Sequence, residues 1–117
     1  MIESFYHAFH GIWVGLKEER NVRVHFLSAF AVIALAVWLK VDLTSWALLA
    51  MAVGIVLTTE FINTSLEHLV DIASGHEYHK SARYAKDTAA AAVLCASVIA
   101  VAIGLIVFLP PLCRLFS

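Results

Sequence analysis

Three acids and two neutral polar residues interrupt an apolar run: Glu60-Phe-Ile-Asn63-Thr64-Ser-Leu-Glu67-His-Leu-Val-Asp71. On an α-helix, at about 100° per residue, Glu60, Asn63, Thr64, Glu67 and Asp71 fall within about 100° of one another and make one polar stripe. Glu67 then lies about 10 Å along the axis from Glu60, and Asp71 about 6 Å further on. A carboxylate in hydrocarbon is costly unless it is paired, protonated or bound to a cation, so acids in such a run mark function. Polar side chains also serve membrane helices as glue. Three mutually repelling acids are poor glue, however, and they suit a site for Mg²⁺ or another hard cation.

Composition says where the stripe must work. Of 117 residues 62% are hydrophobic and 15% charged, with a mean hydropathy of +0.85. Soluble domains average about 45–50% apolar, so this is an integral membrane protein rather than a soluble enzyme. The net charge of -1 decides nothing by itself, and no nucleic-acid partner is expected. Cys95 and Cys113 lie about five turns apart on one predicted helix and cannot pair within it. The first twenty residues mix charges, histidines and aromatics without an apolar core or small-residue cleavage site, so they are expected to be retained.

The elements that hold the stripe can be read in order. Ile2, Phe5, Tyr6, Phe9, Ile12, Trp13 and Leu16 recur at three and four, which predicts an amphipathic interfacial helix over residues 1–20. Lys17 to His25 carries five formal charges in nine residues and belongs at a membrane surface. The spans are expected at about 22–40, 45–72 and 81–109. Between the first two lies a polar turn, Lys40 to Ser45, in which Asp42, Thr44 or Ser45 is placed to cap the next helix; Trp38 and Trp46 flank it as an interfacial belt. The second span is longer than a bilayer is thick, so its last turns project into water before a stop at Ser74-Gly75. His76 to Lys80 is a short polar loop. The third span is expected to end at Pro110-Pro111. Its small residues Ala85, Ala89, Ala92, Ala96, Ala100 and Gly104 form a face that lets another helix approach closely. Lys17, Arg20, Arg23, Lys80, Arg83 and Lys86 fall on one side of the membrane, Lys40 and Arg114 on the other, so the N-terminus and the His76 loop are expected in the cytosol. The predicted fold class is an all-α membrane protein: an interfacial helix plus three transmembrane helices.

A carboxylate cluster half in hydrocarbon and half in water, beside a lysine, fits a reaction between a charged soluble reactant and a lipid. Phosphoryl transfer from Mg-ATP leads, because a metal and a basic side chain offset phosphate charge while a carboxylate deprotonates the attacking hydroxyl. No G-x-x-x-x-G-K-[ST] loop or soluble protein-kinase motif is present. On these residues alone, a proton-coupled carrier using Glu60 ranks nearly equal.

The stripe, followed by Glu77-Tyr78-His79 and by Ala85-Lys86-Asp87-x-Ala-Ala-x-Ala-Val93, resembles the signature of the prokaryotic diacylglycerol kinase and undecaprenol kinase family. Ala8-Phe-His-Gly-Ile12 and Glu19-Arg-Asn-Val-Arg-Val-His25 are similar to that family's N-terminal region, closer to its undecaprenol kinase branch. The resemblance implies an ATP-dependent lipid kinase of a prokaryotic cytoplasmic membrane, working with Mg²⁺ as a homotrimer with sites shared between subunits. It implies that Glu19 and Glu67 hold the metal, and that Glu67 is the base for the lipid hydroxyl. Asn63, Asp71 and Lys86 would complete the ATP site, with His76 and His79, and less specifically Gly11, also near the nucleotide. Glu60, Asn63 and Asp87 would lie by the lipid alcohol, undecaprenol or diacylglycerol. His10 and Val22 depart from the family pattern, where a basic and an aromatic residue are expected, and the Asp71 to Lys86 loop is a residue longer than in the Gram-negative branch.

Overall fold

The computed structural model describes residues 1–117 as four helices: α1 (Ile2–Glu18), α2 (Arg20–Leu39), α3 (Leu43–Ser74) and α4 (Lys80–Leu115). The last three are each long and apolar enough to cross a membrane. At about 1.5 Å per residue α2 matches a hydrocarbon core of about 30 Å, whereas α3 and α4 overrun it. The whole molecule is 57 Å long, so part of it stands outside any bilayer it crosses.

The ends of the helices follow local chemistry. Asp42 caps α3, its carboxylate accepting from the Ser45 N–H at 2.9 Å. That satisfies one of the amide donors left unpaired at any helix start. Gly75 closes α3 with φ 63°, a left-handed turn that costs a glycine nothing. His76 follows in the same region at φ 62°, and its N–H bonds to the Asp71 carbonyl at 3.0 Å, fixing the loop under the acid. The break between α1 and α2 is a single extended residue, Glu19 (φ -110°, ψ 115°). Sequence closed the first helix at residue 20 and opened the first span at about 22; the break falls instead at Glu19, an elbow after which α2 starts at Arg20. Arg23 stabilises this elbow by donating from Nη1 to the carbonyls of Leu16 and Lys17 at 3.1 and 3.0 Å. A cation is unfavourable at the start of α2 but suits the carbonyl end of α1.

α3 and α4 pack along most of their shared length, and α2 leans on α3 while barely touching α4. Of the small α4 face, Ala89 and Ala96 are buried and Ala85, Ala100 and Gly104 partly so, whereas Ala92 is exposed. The apolar core sits at the end away from the stripe, where Ala36, Leu49, Val107 and Phe108 are buried among Val32, Leu35, Trp46, Ile103 and Leu112. That core explains one correction: α4 does not stop at Pro110-Pro111 but runs on to Leu115. Each proline removes an N–H, yet its fixed φ of about -65° is helical. Val107, Phe108 and Leu112 anchor the turns on both sides of the pair in the core, so packing outweighs the lost hydrogen bonds.

Only 11 of 117 residues are buried. The apolar composition is therefore not accounted for by an internal core. Side chains such as Leu27, Phe30, Met51, Leu94, Val101 and Ile106 lie exposed on the chain, as they would against lipid or another subunit.

Candidate active site

α3 delivers the stripe as a graded series. Glu60 and Asn63 are buried at 3% and 5% exposure, Glu67 is half-buried, and Asp71 is 37% exposed at its side chain. The acids thus run from the apolar interior toward the open end of the bundle.

Each acid has its own partner. Glu60 faces His25 of α2, with Oε2 3.5 Å from Nε2. Glu67 accepts from Asn63 Nδ2 at 3.2 Å, one turn back on α3. Asp71 pairs with Lys86 of α4 at 2.5 Å. Glu19, at the elbow, meets the imidazole of His68 at 2.9 Å. Asp87 pairs with Arg83 on α4 itself, at 2.7 Å, and both are exposed. The structure therefore brings Glu60, Asn63, Glu67 and Asp71 onto one helix face and joins Lys86 to it, but it leaves Asp87 in a surface ion pair.

Two hollows flank the stripe. On the elbow side, Gly11, Glu19, Phe61, Thr64, Ser65 and His68 line one of about 520 Å³. Asp71, His76, Tyr78, His79, Arg83 and Lys86 are among the lining of a second, of about 250 Å³, between α3 and α4. The second is rich in nitrogen donors and aromatic rings, which is the chemistry a nucleotide calls for. His76 and His79 lie in it with Lys86, while Gly11 lies in the first.

A closed metal cage is absent: no three His, Cys, Asp or Glu side chains converge within one chain. The residues present nonetheless fit a Mg²⁺-type ion. Such an ion takes one or two carboxylates and completes its shell with water and substrate phosphates. Were such an ion bound, Glu19 and Glu67 would supply the carboxylates; beside Glu67 the buried Oδ1 of Asn63 has no hydrogen-bond partner. An unpartnered buried acceptor is costly, and a cation or a donor from a ligand would relieve it.

Residues 6–108 match the family described as prokaryotic diacylglycerol kinase, which takes in the elbow, the stripe and Lys86. The chain belongs to this family. By that membership it is a lipid kinase and a membrane protein. A diacylglycerol kinase of Synechocystis is 39% identical over 98% of this chain, which spans 66% of that relative. The undecaprenol kinase of Bacillus subtilis is 37% identical over 94% of this chain and 89% of its own. The diacylglycerol kinase of Escherichia coli K12 is 36% identical over 76% and 75%.

Two departures from the family pattern find a setting in the structure. Val22 is fully buried and packs close to Gly15 where α1 meets Phe61 of α3, a site with little room for a ring. His10 stacks on Tyr6 of α1, 6.3 Å between centroids and 7° between planes. Three residues not singled out from sequence also stand at the site: His25, His68 and Arg23. A histidine next to an apolar run signals an acid to be met, but only the packing of α2 and the elbow on α3 says which acid.

Proposed function

We propose that this protein transfers the γ-phosphoryl group of ATP to the hydroxyl of a membrane lipid alcohol, undecaprenol or diacylglycerol, at the cytosolic face of a prokaryotic cytoplasmic membrane. The observation that carries the reading is the graded stripe on α3, with its deepest acid in apolar surroundings and its shallowest paired to Lys86 beside an open, nitrogen-rich hollow. A lipid hydroxyl and a soluble triphosphate can meet only at such a boundary. Family membership leaves the carrier read from Glu60 without support.

Lys86 and Asp71 would sit against the phosphates, with His76 and His79 toward the rest of the nucleotide. Mg²⁺, held by Glu19 and Glu67, would neutralise the charge that builds on the transferring group. Glu19 must exchange the His68 imidazole for that duty. Glu67 takes the proton of the attacking hydroxyl, and Glu60 with Asn63 orients the lipid alcohol. A second assignment is favoured by one observation: Glu60 is almost wholly buried and lies about 10 Å along α3 from Glu67, so for a lipid alcohol that enters the bundle Glu60 itself would take the proton. The six basic residues at the elbow, loop and start of α4 support a cytosolic position for this end. Sparse burial and the open flanks of the stripe support a homotrimer in which neighbouring chains complete the sites.

The test is a side-by-side assay of purified protein in lipid vesicles with Mg-ATP and either undecaprenol or diacylglycerol. Phosphorylated lipid from one or both is expected, and its ratio assigns the substrate. Absence of phosphorylated product from both alcohols would overturn the proposal.

A further inference from the structure

Glu60 is the most deeply buried acid on the chain, at 3% exposure, and the basic side chain it faces is the imidazole of His25, 3.5 Å away. His25 is not an isolated core histidine. It also lines an apolar cleft between α2 and α4 with α3 as its floor, a cavity of about 110 Å³ bounded by residues such as Ala29, Val32, Val56 and Phe108. Apart from Ser28 and Gly104, His25 is the only lining residue that is not hydrophobic. The cleft exists because α2 and α4 both lean on α3 without closing on each other. One imidazole thus touches both the buried acid and an apolar space open to a lipid chain.

The surroundings offer Glu60 no basic side chain besides His25. Glu67 of α3 and Glu19 of the elbow act on it at longer range and are both negative, and Thr64 offers a neutral hydroxyl. α4 carries no charged residue between Thr88 and Cys113, and Cys95, its titratable group in that stretch before Cys113, is exposed. A buried carboxyl without a cation gives up its charge by taking a proton. A protonated Glu60 can neither accept a proton nor bind a hydroxyl as a full anion.

We propose that His25 is the positioning residue of Glu60: lying between the buried acid and the apolar cleft, its imidazole keeps the Glu60 carboxylate ionised where the lipid alcohol arrives. This rests on the kinase reading for its consequence in turnover, but the ion pair itself can be observed without it. His25 acts through Glu60 and needs no contact with the phosphates.

The experiment uses full-length protein in lipid vesicles, with His25→Gln and His25→Leu variants and Glu60→Gln to identify the Glu60 signal. Infrared spectra are expected to lack the carbonyl band of a protonated Glu60 in the parent protein at neutral pH. That band should appear in His25→Gln and His25→Leu, and vanish when either is combined with Glu60→Gln. In the lipid phosphorylation assay, His25→Gln should lower kcat about tenfold or more at neutral pH while KM for ATP changes less than twofold, and raising the pH should recover part of the loss. Both His25 variants showing the same Glu60 band as the parent would overturn the proposal, as would a pH–rate profile that does not move. If the spectra behave as expected but the parent phosphorylates no lipid, the kinase reading fails and the ion pair stands.

Discussion

Glu60 and Glu67 sit on one face of one helix, yet their surroundings divide them: the first is buried against His25, the second half-buried beside Asn63. That contrast gives a way to separate a base from a metal ligand. Glu67→Gln is expected to lower kcat at least about 10²-fold, the span of general-base catalysis, with helix content unchanged by circular dichroism. If raising Mg²⁺ restores the rate, Glu67 serves the metal; if it does not while Glu60→Gln stays active, Glu67 is the base. Asp42, outside the spans, permits a prediction on pH. Hydrogen bonds from Ser45, side chain first and then backbone, hold its carboxyl below the ordinary value of 3.8. The folded form therefore holds its proton less tightly than the unfolded form, so stability rises with pH through this window. The contribution is complete above 3.8 and is lost as pH falls through the lower folded value. Thermal unfolding in detergent should show the parent protein more stable than Asp42→Ala at neutral pH, with the gap closing in acid.

The elements were legible in sequence because hydropathy sets the length of a membrane helix and Asp42 and Gly75 punctuate it. The stripe was legible too, since helical periodicity puts Glu60, Asn63, Glu67 and Asp71 on one face wherever the helix packs. What could not be read were features set by contact between helices. The elbow at Glu19, the His25 and His68 partners and the passage of α4 through Pro110-Pro111 all depend on surfaces that meet only after folding. One such close approach is at Gly15 of α1. A Cβ there would come within 2.9 Å of the Phe61 ring, itself set edge-on against Phe26 with centroids 6.2 Å apart. Gly15→Ala should therefore cost about 1–3 kcal/mol through overpacking and move the elbow four residues on. The expected result is a lower Tm and a higher Mg²⁺ requirement in a metal titration. Gly54→Ala, with nothing within 4 Å of its Cβ, serves as the neutral control.

For the whole molecule, a chain that buries 11 of its 117 residues has most of its surface left for lipid and for other chains. Co-assembly tests the shared-site proposal directly. Mixing inactive Glu67→Gln subunits with inactive Lys86→Ala subunits should restore a fraction of activity if neighbouring chains complete one site, and none if each chain works alone. The length of α3 has a different consequence. Trp46 lies near its start, and at about 1.5 Å per residue Glu60 stands about 21 Å beyond it, Glu67 about 32 Å and Asp71 about 38 Å. With a hydrocarbon core of about 30 Å, Glu67 clears the acyl layer by only a few ångströms. α3 is thus a ruler of fixed length with Trp46 at its zero mark. Vesicles built from progressively longer acyl chains should submerge Glu67 and slow turnover, while shorter ones should strand Glu60 in water, so catalytic rate should peak at one chain length.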